Sequence, residues 1–311
     1  MAGAPPSHSP KTGTKTRSAA IFRLNALYAS ADGAVFDPTG EGVADAKAGR
    51  IVFVGDPETR LREDHLRNLR FFRFNAWYGR PPFDAAGLAA CAKLRDGLKD
   101  LSAERVWKEI KKLLSAPDPR AAIEALAGAG IDRIVVPEVT MAARKMALLG
   151  IESDFLLEPD PITRLAAALP DQAAARAIAV RLKLSNEERD RLVSALGTDE
   201  RIVSYMSVRE MRRALYRLGQ RTFADRVKLA WAEDANPKAG TQWRALLEHA
   251  AVWTPPKLPL TGDEVMAAGV PAGPKVGEVM REVEAWWIDA DFPDDKLSIV
   301  ERLKAVAQGL G

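Results

Sequence analysis

Arg62-Glu63-Asp64-His65-Leu66-Arg67-Asn68-Leu69-Arg70-Phe71-Phe72-Arg73-Phe74 places an acidic pair ahead of arginines that recur every third residue. The apolar positions keep helical spacing, which predicts one helix from about Glu58 to Tyr78, opened by Asp56 and Pro57 and stopped by Gly79, Pro81 and Pro82. Residues three or four apart share a helix face, so Glu63, Asp64, Arg67 and Arg70 would lie together. Leu66, Leu69, Phe72 and Trp77 would then face the core. A carboxylate beside a guanidinium can read a base edge. Cytosine and adenine each offer an exocyclic amine next to an unprotonated ring nitrogen; Asp accepts from the first and Arg donates to the second, whereas uracil and guanine reverse the pattern. Asp/Arg pairs at this spacing are more often solvated surface ion pairs, so the surrounding sequence has to decide.

Outward from this stretch, lysines and arginines outnumber acids over residues 60–112, a local basic strip suited to a polyanion such as RNA, although the net charge of the 311-residue chain is only +3. The alternative is a solvated helix face of mixed sign. An apolar content of 47% allows a proper core, and the length suggests about two domains. Cys91 is the single cysteine, which excludes an intrachain disulfide and a cysteine-based metal site; it lies in the apolar run Leu88-Ala89-Ala90-Cys91 and is expected in the core. His8, His65 and His249 lack zinc-ligand spacing, and there is neither a Ser/His/Asp arrangement nor a Walker-type glycine loop. His65 is expected as a helix-surface imidazole. No apolar run is long enough to span a bilayer. The expected setting is a reducing cytoplasm, with no membrane and no disulfide partner.

Residues 1–20 are small, polar and basic and are expected to be a disordered leader. Short strands are expected at Leu24–Tyr28, Ala34–Phe36 and Arg50–Val54, with a turn at Ala31-Asp32-Gly33. After Pro57 the chain reads as helices. Capping boxes at Ser185/Glu188, Ser207/Glu210 and Thr261/Glu264 mark starts, Ser102 marks another, and Gly219 is expected to stop the helix that Ser207 begins. No fixed-period repeat is present, which argues against a solenoid.

The ordered runs Asp37-Pro38-Thr39-Gly40-Glu41-Gly42, Arg50-Ile51-Val52-Phe53-Val54-Gly55-Asp56-Pro57, Glu63-Asp64-x-x-Arg67-x-x-Arg70, Ser102-Ala103-Glu104-Arg105-Val106-Trp107, Leu260-Thr261-Gly262-Asp263-Glu264 and Gly273-Pro274-Lys275 together resemble the bacterial tRNA nucleotidyltransferase (CCA-adding enzyme) and poly(A) polymerase family. The resemblance covers about residue 22 to the C-terminus. It implies a mainly α fold: a β remnant of the catalytic head at 21–56, a base-reading helical neck at 57–145, a helical body at 146–255 and an RNA-binding tail at 256–311. The implied activity is transfer of C and A from CTP and ATP to the 3′ end of tRNA or RNA, with Mg2+ as the metal. Glu63, Asp64, Arg67 and Arg70 match the nucleotide-binding positions, and Arg73, Glu104, Arg105 and Lys275 match RNA-binding or supporting ones.

The family's Gly-Gly loop and metal-binding Asp-x-Asp strand have no counterpart, and the Arg-Arg-Asp-Phe-Thr-x-Asn motif is met only by Phe22 and Asn25. Asp289 and Asp291 form an Asp-x-Asp in the wrong context and are expected in a solvated turn. Permitted codons for residues 13–22 can, in a shifted frame, spell Asp-Glu-Asp-Ala-Leu-Arg-Arg-Asp-Phe. The leader is therefore expected to be an out-of-frame reading, and the chain an N-terminally truncated, catalytically inactive family member. Two alternatives stand beside turnover: a non-catalytic RNA- and nucleotide-binding helical module, and an inactive truncation product.

Overall fold

A computed structural model describes residues 20–309, so the leader, except for Ala20, lies outside the described residues. The chain divides into two compact units, Met1–Gly197 and Thr198–Gly311. The fold is mainly α with one two-stranded sheet.

The first unit opens with a 3₁₀ turn at Arg23–Ala26, followed by β1 (Tyr28–Ala29) and β2 (Val35–Phe36). The strands pair antiparallel with Tyr28 opposite Phe36 and Ala29 opposite Val35. Gly33, at φ +87°, supplies the left-handed residue of their turn. Two strand expectations are corrected here. Residues 24–26 are a 3₁₀ turn because the Asn25 side chain accepts the Phe22 N–H and closes it. Arg50–Val54 forms only an isolated bridge, Phe22 to Phe53, since residues 21–23 are its sole ladder partner among the described residues: Arg23 donates to the Val52 carbonyl at 2.9 Å and Val54 to that of Ile21 at 3.0 Å. Between them the chain forms α1 (Gly42–Ala48), which sequence periodicity did not mark. The Asp37 carboxylate accepts the N–H groups of Thr39, Gly40 and Val43, and Gly49 closes the helix at φ +67°.

The helix expected over residues 58–78 is two helices, α2 (Pro57–Glu63) and α3 (Leu66–Tyr78). Asp64 is extended, at φ −158° and ψ 108°, and its Oδ1 accepts the Leu66 N–H at 3.1 Å. A short acidic side chain competes well for nearby backbone amides, and this turn bond, one residue ahead of the α3 N-cap His65, replaces continuation of α2. Leu66, Leu69, Phe71 and Phe72 are buried as the pattern predicts, and Phe71 stacks on Phe53 with centroids 5.5 Å apart. Trp77 is not: it is 42% exposed and its indole N–H donates to the Lys112 carbonyl at 2.7 Å. It follows buried Asn75 by two residues, roughly 200° around the helix, which takes it off the packed side.

Helices α4 (Ala85–Lys93), α5 (Ala103–Leu114), α6 (Arg120–Gly128), α7 (Asp132–Val135), α8 (Ala142–Asp154), α9 (Pro161–Ala168), α10 (Gln172–Arg181) and α11 (Asn186–Ala195) complete this unit. α3 packs on α5 and α6, and α9 on α5, α8 and α11. Cys91 is buried as expected, and burial pushes its thiol pKa far up, so it is a small core side chain. Arg164, 1% exposed, ties the layers together: its Nε donates to Glu152 at 2.6 Å and its other nitrogens to the carbonyls of Leu114, Ala116 and Pro117.

The second unit contains α12 (Val208–Glu233), α13 (Gly240–Val252), α14 (Gly262–Ala267), α15 (Pro274–Asp289) and α16 (Lys296–Gln308). All three expected capping boxes are formed, including the one that opens α11. Gly219, at φ 75° and ψ 157°, is non-helical, so the helix that Ser207 opens is interrupted there as expected and a second helix follows directly within α12. The core of α14–α16 centres on Trp287, which meets Phe292 edge-on at 5.0 Å and Tyr216 at 5.8 Å. No helix among the described residues is long and apolar enough to cross a membrane.

Candidate nucleotide-reading site

The break between α2 and α3 turns the expected helix face into a corner. Glu63 ends one helix, Asp64 is the extended hinge, and Arg67 lies in the first turn of the next, where its N–H donates to the Asp64 carbonyl at 3.0 Å. Each side chain is fixed from elsewhere. Arg105 of α5 donates through Nη2 to both oxygens of Asp64, at 3.0 and 2.9 Å. Arg67 donates through Nη1 to Glu63 and to the Arg60 carbonyl, the latter at 2.9 Å; Arg60 also reaches Glu63, at 2.7 Å. The hydrogen bond from Arg67, reinforced by the charge of Arg60, holds the Glu63 carboxyl below its ordinary pKa.

What remains free is chemically specific. A carboxylate has about four acceptor positions; on Asp64, Leu66 and Arg105 occupy three, which leaves one on Oδ2. On Arg67 the Nη1 contacts leave the N–H groups of Nη2 and Nε uncommitted among the described residues. Side-chain exposures of 27% for Asp64 and 16% for Arg67 keep both reachable by solvent. An open acceptor on Asp64 and an open donor pair on Arg67, three residues on, are the two kinds of group that the amine and ring nitrogen of cytosine or adenine require.

Further along α3, Arg70 and Arg73 both donate to Glu109 of α5, at 3.3 and 2.5 Å, and the Arg73 guanidinium lies 4.4 Å from the Phe74 ring centroid. Glu109 was not singled out from the sequence. Two arginines at i and i+3 facing a packed neighbour call for an acid there, and that was the available signal. Glu104 pairs with Lys183 at 2.7 Å, a contact that lowers its pKa. His65 is half-buried instead of a surface imidazole: it lies so close to Gly97 that a Cβ there would come within 2.2 Å of its Nδ1. Lys275 belongs to the second unit, exposed in the first turn of α15.

Among the described residues no group of three or more histidine, cysteine, aspartate or glutamate side chains is placed to hold a metal ion. Asp291 and Asp289 instead face Arg212 at 3.0 Å and Arg213 at 3.7 Å.

A sequence profile described as "tRNA nucleotidyltransferase domain 2 putative" matches residues 161–303, and one described as "Probable RNA and SrmB- binding site of polymerase A" matches residues 83–142. The mouse mitochondrial CCA tRNA nucleotidyltransferase 1 is 26% identical over 302 residues, covering 90% of this chain and 64% of that protein. The chain belongs to the CCA-adding enzyme family. The CCA-adding enzyme of Levilactobacillus brevis is likewise 26% identical, covering 90% of this chain and 69% of its own length. In fold, the chain is similar to the Bacillus stearothermophilus CCA-adding enzyme solved with CTP, with a TM-score of 0.71, 22% identity, 94% of this chain and 75% of that one. It is also similar to the Thermotoga maritima enzyme complexed with tRNA_CCA, with a TM-score of 0.64, 18% identity, 97% of this chain and 75% of that one. The chain thus spans about two thirds of the length of the curated family members it matches.

Proposed function

We propose that this chain selects the incoming nucleotide and holds the acceptor RNA in tRNA 3′-end processing, with CTP and ATP as the nucleotides. The observation that carries this reading is that Asp64 keeps an open acceptor and Arg67, three residues on, keeps open donors, each side chain anchored by a partner that leaves those positions free. Asp64 accepts from the exocyclic amine and Arg67 donates to the ring nitrogen; Glu63 and Arg105 fix their geometry. Arg70 and Arg73, held by Glu109, present positive charge for phosphate or RNA, and Glu104 steadies α5 through Lys183. Lys275 contributes a phosphate contact at the start of α15. The assignments of neck, body and tail to residues 57–145, 146–255 and 256–311 belong to this reading.

We assign base selection and RNA contact to residues 20–309; phosphoryl transfer needs metal-binding carboxylates in addition to these contacts. Fluorescence competition with the four ribonucleoside triphosphates tests the first part. CTP and ATP are expected to compete at least tenfold better than UTP and GTP, and Arg67→Ala to erase the difference; equal competition by all four overturns the reading. Incubation of the chain with labelled CTP and ATP on tRNA lacking its CCA end tests the second part. The expected result is salt-sensitive tRNA binding without incorporation, whereas incorporation above a no-protein control would show that this chain carries its own metal chemistry.

A further inference from the structure

Away from the α2–α3 corner, the first unit encloses a cavity of about 140 Å³ among α5–α9. Its wall is aliphatic, built from Leu113, Ile123, Leu126 and Leu165 among others. Three charged residues line it: Arg164, Lys145 and Asp132. Arg164 is fully committed to Glu152 and to three carbonyls. Lys145 and Asp132 are not. No ion pair within 4.0 Å joins them among the described residues, and Asp132 Oδ1 is buried with no hydrogen-bond partner. Burial pulls the Lys145 ammonium below its ordinary pKa, with the Asp132 carboxylate partly opposing that shift.

A buried carboxylate oxygen with nothing to accept carries an uncompensated desolvation cost, and an aliphatic cavity of roughly 150 Å³ is large enough for a benzene-sized molecule. The two facts describe one ligand. We infer that this cavity is a binding site for a small uncharged amphiphile, with an apolar body about the size of a benzene ring and one hydroxyl or primary amide. That polar group donates to Asp132 Oδ1 and accepts from the Lys145 ammonium, completing both while the body fills the aliphatic pocket. An anion would meet Asp132 as a like charge and a cation would meet Lys145, so the site favours a neutral molecule with both a donor and an acceptor. The wall includes Ile110 and Leu113 of α5, the helix whose Arg105 and Glu109 anchor the nucleotide-reading corner. An occupant therefore bears on the rear of that helix.

Isothermal titration of the full chain with benzene, phenol and benzamide, alongside nitrogen-15 amide spectra, tests the assignment. Phenol and benzamide are expected to bind at least tenfold more tightly than benzene, with amide shifts concentrated in α5–α9. Lys145→Met and Asp132→Asn are each expected to shrink that preference. Ala127→Trp, which places a large ring at an exposed position on the cavity rim, is expected to abolish binding of all three. Far-ultraviolet circular dichroism of each variant separates loss of the site from loss of fold. Equal binding of benzene and phenol would show that the polar pair takes no part. No binding by any of the three at millimolar concentration, or amide shifts elsewhere, would overturn the site altogether.

Discussion

The α2–α3 corner of the first unit and the α14–α16 end of the second carry family-like sequence of similar length, yet they are held together by different means. At the corner, charged side chains are braced by charged side chains far away in sequence: Asp64 by Arg105, Arg70 and Arg73 by Glu109. In the second unit the bracing is apolar, with Trp287, Phe292 and Tyr216 in mutual contact, and Lys275 stands exposed outside it. The difference teaches where specificity can reside. A guanidinium or carboxylate pinned by two or three partners presents its remaining lone pairs and N–H groups in one direction and can discriminate between bases. An unpinned ammonium on a long stem contributes charge and little direction.

The largest effect is expected at Trp287. Trp287→Ala removes a side chain that is 1% exposed and is expected to cost about 3–5 kcal/mol in the second unit. Denaturant titration followed by tryptophan fluorescence measures it. CTP binding at the corner is expected to persist while the second unit unfolds, because each unit has its own core; a parallel loss of both would show that the regions are not separable. Asp64→Ala should behave in the opposite way. Discrimination of CTP and ATP against UTP and GTP is expected to fall by about 1.5–3 kcal/mol, the worth of one hydrogen bond to a charged group, with a stability loss of about 1 kcal/mol from the lost Asp64–Leu66 hydrogen bond. Competition binding and thermal melting on the same sample separate the two terms. Gly97→Ala sharpens the contrast further. Its new Cβ would lie 2.2 Å from His65 Nδ1, so the ring next to Asp64 must move. Overpacking of this kind costs about 1–3 kcal/mol, and nucleotide discrimination is expected to weaken although no nucleotide contact is touched. Unchanged discrimination would mean that the backbone at residue 65 does not set the angle of Asp64.

How much of this was legible in the sequence follows the same division. The capping boxes at Ser185, Ser207 and Thr261 could be read directly, because each is a local exchange of hydrogen bonds three residues apart. The burial of Leu66, Leu69 and Phe72 was legible from periodicity. The break at Asp64 was not. Apolar spacing continues across it, and the competition between helix continuation and a fresh cap is settled by a tertiary partner, Arg105, that lies 41 residues away. Arg50–Val54 has side chains that suit a strand, but a strand is defined by its neighbours, and among the described residues only 21–23 pair with it. At the site, residue types were visible and partners were not: the arginines of α3 announced positive charge, whereas the role of Glu109 depended on how α5 packs on α3.

The two smallest effects fall in the second unit and test whether its contribution is structural or electrostatic. Thr261→Ala removes the hydroxyl that accepts from the Glu264 N–H at the start of α14, and is expected to cost about 1 kcal/mol of stability with tRNA affinity unchanged under native conditions. Lys275→Ala should do the reverse. The residue is exposed in the first turn of α15, so its removal leaves the core intact and the melting temperature within error. If Lys275 neutralises one phosphate, the slope of log affinity against log salt concentration should flatten by about 0.7–0.9, the value for a single released counterion. Affinity should fall equally for all tRNA sequences, because an unpinned ammonium reads charge and not bases. A flattened slope with selectivity intact places Lys275 on the backbone of the RNA. An unchanged slope removes it from the interface, and a change in selectivity among tRNAs would mean that the second unit reads more than charge.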